Sequence, residues 1–127
     1  MPYEPYADAE YYIKAYEGDS IPEDKLSKKL KEASRHIDTL TYNRIVGRGI
    51  SNLSQWQQDI IKEVCCEMAD FEYENADMIQ SVLQSYSING VSMNFGASWN
   101  IAVQDGVAIR RDVYTKLQQT GLCSRRL

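Results

Sequence analysis

One histidine, His36, is all that the 127 residues hold of the side chain most used for proton transfer and metal binding. A triad or a histidine-based metal site built on it would need partners that the sequence does not advertise. His36 therefore reads as a solvated or structural residue. Cysteine is scarce too: three residues, an odd number, with no C-x-x-C spacing. Free thiols in a reducing cytosol are expected. No GxxxxGK[ST] loop and no GxGxxG is present, and Gly47-Arg48-Gly49 is too short to count as either. No apolar run approaches the roughly 20 residues that a membrane span needs. The opening MPYEPYADAE is acidic and lacks the apolar core of a signal peptide. No nucleophile is paired with a base. The expectation is a chain with no catalytic residue, no metal, no cofactor and no membrane partner.

What is present is an ordinary globular composition, 43% hydrophobic and 25% charged, with a net charge of −4. The length suits a single domain over 1–127 with one core. The net charge argues against a surface devoted to nucleic acid, although a local basic patch remains compatible with it. The best-marked element is Ser54 to Glu74. Ser54 and Gln57 have the spacing of a capping box. At about 100° per residue, Ile60, Ile61, Val64, Cys65, Met68, Ala69 and Phe71 fall on one half of the helix. Glu63, Glu67, Asp70 and Glu74 share a flank. An apolar face this wide belongs beneath other helices. Cys65 sits at its edge and reads as core; Cys66 faces away, either exposed or buried by another subunit.

Residues 1–5 read as a loose lead-in. A short helix is predicted over Ala7–Tyr16, with Asp8 near its start and Gly18 past its end. Its tyrosines either pin it to the main helix or are shared with a neighbour. A second helix is predicted from Ser20-Ile21-Pro22-Glu23, again with capping-box spacing, to about Thr39. Leu26, Leu30, Ala33, Ile37 and Leu40 form its stripe. Tyr42 to Leu53 shows no helical period and reads as a loop. Ser85 to Phe95, split by Asn89-Gly90, carries a hairpin signal. Residues 96–104 are ambiguous. The last helix is predicted over Asp105–Thr120, with Ile109, Val113, Tyr114 and Leu117 inward and Gly121-Leu122 as a Schellman close. Residues 123–127 read as a mobile basic tail. The fold class is mainly α: a compact bundle of about four helices with one small β-hairpin between the third and last.

Two charged stripes stand out. Lys28, Lys31 and Arg35 share one side of the second helix. Glu63, Glu67, Asp70 and Glu74 share one side of the main helix, where like charges four apart cost about 0.2–0.5 kcal/mol each. Either these are solvated faces, or the basic stripe of one copy meets the acidic stripe of the next. Two different patches meeting head to tail close into a ring when the rotation allows. The hairpin residues Ile88, Val91, Met93 and Phe95, and Arg125 and Arg126 of the tail, are further contact candidates.

Several stretches, in order, resemble the small head–tail connector (adaptor, or head-completion) proteins of tailed bacteriophages. They are Tyr6-Ala7-Asp8 with Tyr11-Tyr12 and Tyr16; Ile21-Pro22-Glu23-Asp24; Ala33 to Asp38 running into Leu40 to Ile45; Val64 to Ala69; Ser87 to Phe95; and Thr120-Gly121-Leu122. The resemblance implies a ring of subunits, usually twelve, beneath the portal protein of the filled head. Such a ring extends the channel through which double-stranded DNA passes, and it docks a stopper or tail-completion protein; carboxylates of the main helix that are not used between subunits would then line the channel and repel the DNA phosphates. The resemblance places the chain in the virion, and in the host cytoplasm during assembly; given a portal, the basic tail's Arg125 and Arg126 are candidates to reach an acidic surface on it. It implies no catalysis and no cofactor. Residues 97–106 and the ending after Leu122 depart from the family pattern. The competing readings are a small DNA-binding packaging or regulatory protein, which would need a recognition helix, and an enzyme.

Overall fold

The main helix forms as its capping box dictates. Ser54 Oγ accepts from the Gln57 amide at 3.1 Å, and Gln57 Oε1 accepts from the Ser54 amide at 3.0 Å. The computed structural model describes residues 5–77, 79–80, 101–104 and 107–123. Its helices are α1 (Glu23–Leu40), the short α2 (Arg44–Arg48), α3 (Gln55–Glu74) and α4 (Arg111–Gln119). Strands β1 (Ile101–Gln104) and β2 (Val107–Arg110) pair antiparallel between α3 and α4, with Ile101 opposite Arg110. The fold is a mainly helical bundle with one small strand pair.

The α1 stripe Leu26, Leu30, Ala33, Ile37 and Leu40 is buried against α3, whose Ile61, Val64, Cys65, Met68 and Ala69 are buried in turn. α4, through Val113 and Leu117, and β2 also pack on α3, and β2 touches α1 as well. Period-2 alternation divides β2 between two cores: Val107 and Ile109 enter the main one, while Ala108 joins Phe71 and Ile79 in a smaller one. Asn75 closes α3, and the Ile79 amide then donates to the Asn75 carbonyl at 2.9 Å, so one helical turn follows the break.

Several expectations are corrected. Val107–Arg110 is strand, so the last helix starts at Arg111 and not at Asp105. The segment read as a loop holds α2 and a 3₁₀ turn, Ile50–Asn52; buried Ile45 anchors α2, and Gly49 at φ 80° ends it. Ser20 does not cap α1. Pro22 precedes the first turn with an extended ψ of 146°, and the Ile21 amide is turned inward to the Tyr12 hydroxyl. The first helix is wound as a π-helix over Tyr11–Ala15. Only one bond of the Schellman close forms, from Gly121 to the Gln118 carbonyl; the Leu122 amide donates to Thr120 Oγ1 instead. Cys123, expected in the mobile tail, is buried. The hairpin signal over Ser85–Phe95, with Ile88, Val91, Met93 and Phe95, lies outside the described residues. So do Arg125 and Arg126.

Candidate assembly surface

The acidic flank of α3 is engaged within the chain. Lys116 of α4 reaches across to it, placing Nζ 2.9 Å from Glu63 Oε1 and 2.6 Å from Glu67 Oε1. The bond to Lys116 holds Glu63 below the usual carboxylate range. Burial holds Glu67 above it. Lys116 is itself raised by the two carboxylates, Glu67 foremost. One turn further on, Asp70 accepts from the hydroxyls of Tyr12 and Tyr16, the latter at 3.0 Å. Burial pushes the Tyr12 phenol up to about 12 and raises Tyr16 as well. Of the four residues in the stripe only Glu74 is exposed.

These bonds pin the N-terminal segment to α3, which is the first of the two alternatives for its tyrosines. Tyr6 strengthens the attachment: its amide donates to Ser34 Oγ at 2.9 Å and its hydroxyl to Asp38. The same segment explains Cys66. Its thiol is fully buried, not exposed, and burial raises it, with Asp8 and Asp70 among the nearby charges. Cys65 lies 3.2 Å from Ser34 Oγ, and burial pushes it up to about 11; burial does the same for Cys123. Thiols held protonated in this way are poor nucleophiles.

His36 pairs with Glu72. Nδ1 is 2.5 Å from Glu72 Oε2, and this bond raises the imidazole above its ordinary range. The second oxygen, Oε1, is buried without a partner among the described residues. The pair lies beside a cleft of about 280 Å³ whose lining includes Lys29, Glu32, Val107 and Ala108. A cue for this pair was present in the sequence: eleven residues beyond Ile61, Glu72 falls only about 20° from it on the helix, in the middle of the apolar face. Among the described residues no group of three or more His, Cys, Asp or Glu is placed to hold a metal ion. No described helix is long and apolar enough to cross a membrane.

The basic stripe contrasts with the acidic one. Lys28, Lys31 and Arg35 are all exposed on α1. Two groups of exposed residues went unremarked in the sequence. Trp56 is 52% exposed in the first turn of α3, off its apolar half, and Val46 of α2 is 59% exposed. Glu17, Asp19, Glu23 and Asp24 are exposed around the start of α1. No protein-family model, no curated protein and no solved structure matches the chain.

Proposed function

We propose that this protein is a structural component of a phage virion. Copies of it form a ring under the portal, extend the DNA channel and join the filled head to the stopper or tail. The observation that carries the reading is how the chain spends its reactive groups. Three thiols are buried, the lone imidazole is bound to Glu72, and the carboxylates Glu63, Glu67 and Asp70 are tied to Lys116 and two tyrosines. The exposed surface keeps separated charge and a few large apolar side chains, the means by which proteins fit against one another.

A mainly helical bundle is what the connector resemblance implies; the hairpin it implies, Ser87–Phe95, lies outside the described residues, and β1 and β2 fall in and beside the segment that departs from the family pattern. The ordered segments of that resemblance supply the virion context. A channel-lining use of the α3 flank is best supported for Glu74, the one residue of the stripe that is exposed. The test is co-sedimentation of the purified chain with rings of the portal protein from the same virion. Saturation at one fixed stoichiometry is expected. Absence of binding, or turnover of a substrate, would contradict the proposal. A salt-dependent shift of DNA at low protein concentration would favour the DNA-binding alternative.

A further inference from the structure

We propose that the elbow after α1, where Tyr42, Val46, Arg48 and Trp56 are exposed, docks a second copy of this chain by receiving that copy's acidic segment, Glu17–Asp24. This rests on the ring reading above and names the surfaces that would make the ring.

The elbow is where the large apolar exposure gathers. Among the described residues four large hydrophobic side chains are exposed, and Val46 (59%), Trp56 (52%) and Tyr42 (39%) are three of them. Trp56 projects because the start of α3 does. From Ile60 to Tyr73 every residue of α3 is buried or half-buried, whereas Gln55, Trp56 and Asp59 in its first turns are exposed. A tryptophan with half its surface free, eight residues along the chain from an exposed arginine, belongs with the residue types found at the energetic centre of interfaces.

Charge selects the partner. Between residues 39 and 58 the only charged side chains are Arg44 and Arg48. Arg44 is fixed: it donates to the Leu122 carbonyl at 2.9 Å, with its guanidinium 5.3 Å from the centre of the Tyr42 ring. Arg48 is exposed, with no ion pair among the described residues. The first carboxylate after the elbow, Asp59, accepts from Gln55 Nε2 at 2.8 Å. The complementary patch is at the other end of α1. Between residues 15 and 24 there are four carboxylates and no base, and all four carboxylates are exposed. The acidic flank of α3, the other candidate, is already bound to Lys116 and the tyrosines.

Geometry then sets the kinds of assembly open to these patches. The 18 residues of α1 separate the two patches by about 27 Å at 1.5 Å per residue. Different patches at opposite ends of one helix can meet in an antiparallel two-fold pair, which makes both contacts at once, or head to tail. A head-to-tail contact leaves one acidic segment and one elbow open and so repeats until it closes, and this is the form the ring reading takes. Trp56 supplies affinity, while Arg48 and the carboxylates set register and association rate.

The experiment is sedimentation velocity on the full chain, alone and with portal rings, comparing wild type, Trp56→Ala, Arg48→Glu, and Arg48→Glu combined with Glu17→Lys and Asp19→Lys. All the substituted side chains are exposed, so unchanged circular dichroism confirms that each variant folds. Trp56→Ala and Arg48→Glu are each expected to weaken self-association by about tenfold or more. The combined variant should regain it. Wild-type rings with all variants assembling equally well would overturn this assignment and leave the ring reading standing. Loss in both single variants without rescue would overturn the acidic segment as occupant and put another partner on the elbow. A wild type that stays monomeric with and without the portal would overturn the ring reading, and this inference with it.

Discussion

Gly18 is the residue whose replacement the structure forbids most directly. Its amide donates to the Tyr12 carbonyl at 2.8 Å, and a Cβ on it would lie 2.3 Å from Cζ of the buried Tyr12 ring. That ring cannot move aside without giving up Asp70 and the Ile21 amide. Gly18→Ala is expected to cost about 1–3 kcal/mol, the usual range for overpacking, read as a lower urea midpoint. His36 supplies a pH dependence at the same scale. Its folded pKa is raised by Glu72, so its contribution to stability is fully present below the unfolded value of about 6.5. The contribution is lost as pH rises through the folded value. Wild type should therefore lose more stability than His36→Gln between pH 6 and pH 8 in parallel urea titrations. Equal losses would show that the pair is energetically silent. As the only histidine, His36 can be followed without assignment ambiguity.

Between elements, Lys116 is the tie that holds α4 on α3. Lys116→Met should destabilise the fold by about 1–3 kcal/mol, because Glu67, at 12% side-chain exposure, is left as a nearly buried acceptor without its donor. Adding Glu67→Gln should recover part of the loss, since a neutral amide is less costly there than a carboxylate; no recovery would assign the loss to packing of the lysine stem. The elements that the sequence made legible are those with local causes. The Ser54–Gln57 box and the buried face of α3 are written within 21 residues, and the α1 stripe is written at helical spacing. β2 was read as helix because Val107-Ala108-Ile109 is too short and too apolar for its period to speak, and its strand character comes from pairing with β1. The five residues of α2 likewise offer no period. Cys66 was misplaced because the segment that buries it lies some fifty residues earlier in the chain. The acidic stripe was seen as a stripe, but its partners Lys116, Tyr12 and Tyr16 are joined to it only by the tertiary fold.

For the whole molecule, the net charge of −4 says less than its placement. Glu63, Glu67 and Asp70 of the central helix are paired within the chain, whereas the carboxylates at the start of α1 remain outside, and the elbow beyond the other end carries arginine and exposed aromatic side chains. A molecule with unlike ends of this kind can join its copies as an antiparallel pair or head to tail, and a connector ring under a portal is the closed head-to-tail form proposed for it. Native mass spectrometry of the purified chain, with and without portal rings, measures that repetition most directly. A single dominant species at a fixed integer multiple of 14.6 kDa is the expected result. A monomer under both conditions, or an open-ended ladder of every copy number, would contradict it.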